Sequence, residues 1–318
     1  MLSRTAENLY WSARYIERAD SIARILEVGY RISLIPNTQK GYSNEWEAIL
    51  QSSGIKEEYL SKYKEIKKEK IEYFLLLDEN NTSSIINCFS KARENIKSVR
   101  TAVTLEVWNT INSCFHEIEV IKKQKYISKR LPEHIDWVKK QVNLIKGTIF
   151  NTQLVNDGYD FIILGIFFER ADFTARLINV KYFILLPSTN YIGKEIDNFQ
   201  WSLMLRSISS FRAFKWAYGN NNITYLTIID FLILNIISPR SLIYSVKKIN
   251  EHLKNLKKYY KQKSIVESRS NELYLKLKKL KADEISEYGL HEFVKIFIKD
   301  LSNINNNLEK KYFLGLSK

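Results

Sequence analysis

A charged tetrapeptide occurs twice in this chain at a constant offset of 152 residues, each time inside an apolar run. Residues 17–30 read Glu-Arg-Ala-Asp-Ser-Ile-Ala-Arg-Ile-Leu-Glu-Val-Gly-Tyr, and residues 169–182 read Glu-Arg-Ala-Asp-Phe-Thr-Ala-Arg-Leu-Ile-Asn-Val-Lys-Tyr. Apolar residues recur around both at three- and four-residue spacing, the periodicity of a helix. At about 100° per residue, Glu17, Asp20 and Arg24 share one narrow strip, with Arg14 beside it and Arg18 turned toward the apolar face. Asp20–Arg24 and Asp172–Arg176 are i,i+4 pairs with the acid on the N-terminal side, the favoured orientation.

The second copy indicates how deep the strip lies. Residues 161–168 read Phe-Ile-Ile-Leu-Gly-Ile-Phe-Phe before the motif, and Tyr-Phe-Ile-Leu-Leu follows at 182–186, ahead of Pro187. A helix apolar nearly all round belongs inside a bundle. It is too interrupted to span a bilayer, because Glu169, Arg170, Asp172, Arg176 and Lys181 would lie at membrane depth. Charges buried there need partners, and the nearest supply is the other copy. The two helices are therefore expected to pack about a pseudo-twofold axis, with Glu17, Arg18, Asp20 and Arg24 interlocking with Glu169, Arg170, Asp172 and Arg176. Two readings of such a centre stay open. It is a structural ion-pair network that fixes register, or a polar site whose arginines hold a carboxylate while Glu17 or Glu169 acts as acid or base.

The rest of the chain continues in helices. Ten Gly and four Pro in 318 residues are too few for a turn-rich sheet protein, and 45% hydrophobic residues are ample for a core. The fold class expected is all-α, a multi-helix bundle with the motif helix as an internal pseudo-repeat, forming one domain over residues 1–318. The motif helices should span about 3–31, with Ser3 as N-cap, and about 158–186. Between them the sequence predicts helices at 44–52, closed by Gly54, then 55–80, 84–100, one through Val103–Ile118, and one opened by Leu131-Pro132-Glu133. The stripe Ile85, Cys88, Phe89, Ala92, Ile96 and Val99 should face inward. Ile35-Pro36-Asn37-Thr38 should break the first helix. Beyond the second motif come 199–218 capped by Gly219, and 223–234 opened by Asn221-Asn222. A Lys-rich helical part over 240–318 follows, starting with Ser238-Pro239 as cap and N1 and ending in a helix over 284–310.

Familiar chemistry is absent from the sequence. His116, His134, His252 and His291 are scattered, and no HExxH or ExxH appears, so no metal site is expected. There is no phosphate-binding glycine loop and no Gly-x-Ser-x-Gly elbow, so no cofactor is expected. Cys88 and Cys114 are isolated thiols, unlike a disulfide framework. With no signal peptide and no membrane span, the location expected is cytoplasmic. The formal charge of +14 comes from Lys. Without a nucleic-acid module it is a weak sign of an anionic partner, and nucleic acid is not expected.

Taken in order, four sets of residues resemble the bacterial alpha-E domain family. They are Met1 to Asp20, Ala92-Arg-Glu-Asn95 with Val99-Arg100 and Glu106-Val-Trp108, Leu164 to Asp172, and Phe231 to Leu242 with its Pro-Arg-Ser-Leu segment. The resemblance implies a helical protein, with no assigned catalytic residue, encoded beside circularly permuted ATP-grasp ligases and transglutaminase-like proteins. It thus implies an accessory or interaction role with an amide- or peptide-forming ligase. The alternative is an enzyme binding a carboxylate-bearing substrate at the Arg/Glu/Asp centre. The chain departs from the family pattern at Ile166, which stands where Arg is usual and answers Arg14 of the first copy, and at Lys97.

Overall fold

A computed structural model of the chain describes residues 1–34, 45–123, 130–183, 195–219, 223–261 and 265–315. Fifteen α-helices and no strand are present among the described residues. The two motif helices, α1 (Ser3–Ser33) and α8 (Asp157–Phe183), are the longest and pack directly on each other. Residues 161–168 of α8 are all buried, as a helix apolar on every side requires. Where the two helices cross, Gly165 of α8 lies on the backbone of α1. A Cβ built there would stand 2.4 Å from the Tyr10 carbonyl oxygen and 3.0 Å from Ala13 Cβ. Gly165 answers Ala13 at the same 152-residue offset, so small residues from both copies make the approach.

Layers of helices cover this pair. After α2 (Glu45–Ser53), α3 (Lys56–Tyr63) and α4 (Lys68–Leu76), the helices α5 (Ile85–Ser98), α6 (Leu105–Lys122) and α7 (Leu131–Thr152) follow, and α5 and α7 pack on α1. Ser84 caps α5 and Thr104 caps α6, each through its side-chain oxygen. The stripe Ile85, Cys88, Phe89, Ala92, Ile96 and Val99 is buried as the periodicity predicts. Arg93 and Arg100 both stack on Trp108, with Cζ 5.8 and 5.0 Å from the ring centroid, so the separated middle motifs meet at one seam. Beyond α8 lie α9 (Glu195–Ser207), α10 (Phe211–Tyr218) and α11 (Tyr225–Ile229), which runs into a π-helical turn at Asp230–Leu234. Then α12 (Leu242–Tyr260), α13 (Ile265–Lys279), α14 (Ala282–Tyr288) and α15 (Leu290–Leu308) complete the chain, with α12 and α15 on α8.

The differences from the sequence reading lie at helix ends. α1 begins at Ser3 itself, and no side chain caps it. The 55–80 segment is two helices, because Lys64 adopts a left-handed φ of 58° and accepts the helix end there. The 199–218 segment breaks likewise at Ser209, φ 59°, and the last helix is divided at Gly289, φ 103°. Ser241, two residues past Pro239, is the true cap of α12. The expected stops at residues 35–38 and Pro187, and the start at Asn221-Asn222, lie outside the described residues. Among the described residues no helix is long and apolar enough to cross a membrane.

Candidate functional site

The two Glu-Arg pairs exchange partners across the α1–α8 contact. Arg18 of α1 grips Glu169 of α8 with two of its three nitrogens, Nε to Oε1 at 2.6 Å and Nη2 to Oε2 at 3.0 Å. Arg170 of α8 returns the contact to Glu17 of α1, Nε to Oε1 at 2.8 Å and Nη2 to Oε2 at 3.3 Å. The motif spacing produces this directly. Each Glu lies on the strip facing the partner helix, and each following Arg is rotated by about 100°, far enough to reach round to the partner's Glu. The guanidiniums rest against aromatic rings, Arg18 at 5.6 Å from Tyr15 and Arg170 at 4.8 Å from Phe167.

The Asp-Arg pairs do not interlock across the helices as expected. Each closes within its own helix, Arg24 Nε to Asp20 Oδ2 at 2.8 Å and Arg176 Nε to Asp172 Oδ2 at 2.7 Å. Intrahelical i,i+4 geometry satisfies them without the partner. Their surroundings are opposite. The Asp20 and Arg24 side chains are 1% and 4% exposed, while Asp172 and Arg176 are 26% and 34% exposed.

Around the first copy the centre is sealed by two cations that the motif does not contain. Lys146 of α7 ion-pairs with Glu17. Arg240, just before α12, reaches Asp20 Oδ2 at 2.9 Å and lies 3.5 Å from Glu17. Arg24 donates Nη1 to the Ser207 carbonyl at 2.7 Å. Two carboxylates thus meet four cations in a buried space. Burial raises the Glu17 pKa, but Arg170, Lys146 and Arg240 outweigh it and hold the carboxyl at about 2. Asp20 is depressed further, burial again being overridden by Arg240 and Arg24. Burial lowers Lys146, and Glu17 and Asp20 oppose it.

The second copy faces two adjoining clefts. Glu169 takes Arg14 as well as Arg18, with Arg14 Nε at 2.8 Å from Oε2, and despite burial the pair of arginines holds its carboxyl at about 2. Neither glutamate is therefore poised to exchange a proton near neutral pH, which disfavours the acid–base role. One cleft, of about 260 Å³, is lined by Arg18, Asp172 and Arg176 on its polar side and by Ile22, Ile25, Leu75 and Phe173 on its apolar side. The other, of about 250 Å³, shares Arg18, Asp172 and Arg176 and adds Arg14, Ser302 and Asn305. The charges lining the two are three guanidiniums against Glu169 and Asp172. Among the described residues no group of three or more His, Cys, Asp or Glu side chains is gathered to hold a metal ion.

Sequence reading missed Lys146 and Arg240, yet a signal that Glu17 needs a further cation was present. Ile166 takes the place that Arg14 fills in the first copy, so Glu17 lacks the motif's own second cation and needs one from elsewhere. Arg240 lies in the Pro-Arg-Ser-Leu segment already singled out, whereas nothing in its local sequence marks Lys146.

Comparison with known families matches residues 1–313 to Alpha-E, described as a predicted alpha-helical domain with a conserved ER motif. Among curated proteins and solved structures, nothing matches the chain.

Proposed function

We propose, from the premise that this chain belongs to the Alpha-E family, that it is a helical accessory protein which binds a carboxylate-bearing amino acid or peptide at its second motif. The observation that carries this is the half-buried Asp172–Arg176 pair, which lines both clefts together with Arg18. Paired guanidiniums in a concave, partly dry site suit a carboxylate. The apolar wall of Ile22, Ile25, Leu75 and Phe173 suits the side chain next to it. Asp172 holds Arg176 by its Nε, orienting the guanidinium at the junction of the clefts.

N-acetyl-L-leucine serves as a probe, with N-acetyl-L-leucinamide as the control that lacks the charge. Calorimetric titration is expected to show binding of the acid and not of the amide. Arg176→Ala should weaken binding at least tenfold, as loss of a charge-assisted contact of roughly 1.5–3 kcal/mol implies. Equal binding of acid and amide, or no effect of the substitution, would reject the site.

The family resemblance further supports a setting beside an ATP-grasp-type ligase that forms amide or peptide bonds, with this protein presenting the ligase's substrate or holding its product. Co-purification of the two supports that setting. A ligase fully active alone, with no retention of this protein, removes it.

A further inference from the structure

The two clefts at the second motif are not isolated. A third, of about 500 Å³, is lined from α1 by Arg4, Glu7, Asn8, Trp11 and Tyr15 and from α5 by Lys91 and Asn95. All three open on one face of α1. Its residues at 4, 8, 11, 15, 18, 22 and 25 follow the three- and four-residue spacing that defines a single helical stripe. The clefts also adjoin through stacked side chains. Arg14, from the second cleft, lies 4.9 Å over Trp11, and Arg18, from the first two, lies 5.6 Å from Tyr15, both rings of the third. Lys91 Nζ also lies over the Tyr15 ring, 5.4 Å from its centroid.

We propose that this stripe is a groove for an extended peptide. Its C-terminal carboxylate sits at Arg18 and Arg176, its last side chain enters the apolar lobe, and its chain runs over Tyr15 and Trp11 toward Arg4 and Lys91. The inference rests on the carboxylate-binding reading and extends it from a single residue to a chain. From Arg18 to Arg4 the helix rises about 21 Å, which an extended chain covers in about six residues at roughly 3.3–3.6 Å each. The half-buried rings of Trp11 and Tyr15 suit the apolar and amide surfaces of a peptide, and Arg4 and Lys91 favour acidic residues at its far end. A nucleic-acid strand fits less well, because it would bring a phosphate to every step of the groove, Glu7, Glu169 and Asp172 included, whereas the peptide carries negative charge only at its two ends.

The test compares N-acetyl-L-leucine with an acetylated hexapeptide that ends in leucine and carries glutamate at its first two positions. The hexapeptide is expected to bind at least tenfold more tightly. The double variant Arg4→Glu/Lys91→Glu should abolish that gain and leave the affinity for N-acetyl-L-leucine unchanged, since neither residue lines the clefts at Arg18 and Arg176. If N-acetyl-L-leucine binds but the hexapeptide binds no tighter, or the double variant has no effect, the groove is overturned while the carboxylate site stands. If neither ligand binds, the carboxylate reading fails and the groove fails with it. A single-stranded oligonucleotide that competes as well as the hexapeptide, with the same loss in the double variant, overturns the assignment to a peptide.

Discussion

Glu17→Gln is expected to lower the thermal unfolding midpoint by about 5 °C or more. The carboxylate is fully buried among Arg170, Lys146 and Arg240, and glutamine keeps the shape while removing the charge that three cations face. Breaking a buried ion pair from one side costs roughly 3–5 kcal/mol, because the charges left behind stay desolvated. For a chain of 318 residues, at roughly 2.1 cal/mol/K of unfolding entropy per residue, each kcal/mol shifts the midpoint by roughly 1.5 °C. Adding Lys146→Met to Glu17→Gln should restore part of the loss, since it removes one of the stranded cations. The acid limb carries the same information. Glu17 and Glu169 have folded pKa values depressed from 4.5 to about 2. Their stabilisation is therefore complete above pH 4.5 and is lost as pH falls through about 2. Calorimetry of wild type and variant from pH 7 to pH 2 should show a shallower acid limb in Glu17→Gln. A midpoint within 2 °C of wild type at pH 7 would mean that the sealed centre holds nothing together.

The same substitution should have opposite signs at two glycines. Gly165→Ala places a methyl group 2.4 Å from the Tyr10 carbonyl oxygen, and backbone cannot step aside without parting α1 from α8. Overpacking of this kind costs roughly 1–3 kcal/mol and occasionally more, enough to outweigh the roughly 1 kcal/mol that alanine gains over glycine in a helix. Gly147, within α7, has nothing within 4 Å of a built Cβ. Gly147→Ala should therefore raise stability by roughly 0.5–1 kcal/mol. Denaturant unfolding of both proteins checks the pair. Stabilisation by Gly165→Ala would show that the helices do not meet so closely at the motif.

Much of this arrangement is legible in the sequence, because a repeated charged strip inside an apolar helix leaves few solutions. Apolar residues on all sides of Glu169 require burial, burial requires a counter-charge, and the 152-residue repeat offers Arg18 as the partner. What the sequence hides is long-range or local in a different way. Lys146 looks like any surface lysine of an amphipathic helix, and only the fold brings it to Glu17. The breaks at Lys64 and Ser209 are left-handed turns by residues without glycine's freedom, so no residue type announces them. The opposite exposure of Asp20 and Asp172 depends on which helices cover each copy, and identical tetrapeptides carry no trace of it.

That asymmetry is tested most directly by making one substitution at equivalent positions, Arg24→Ala and Arg176→Ala, and measuring thermal unfolding and N-acetyl-L-leucine binding on both proteins. Arg24 is buried, bonded to Asp20 and to the Ser207 carbonyl. Its loss should lower the midpoint by about 5 °C or more, the effect of breaking a buried pair, while protein that remains folded binds the ligand as wild type does. Arg176, a third exposed and lining both clefts, should cost no more than about 2 °C, the scale of a partly solvated pair, and lose at least tenfold in affinity. Equal losses of stability in the two variants, or unchanged binding in Arg176→Ala, would contradict a division of labour between a structural first copy and a ligand-binding second copy.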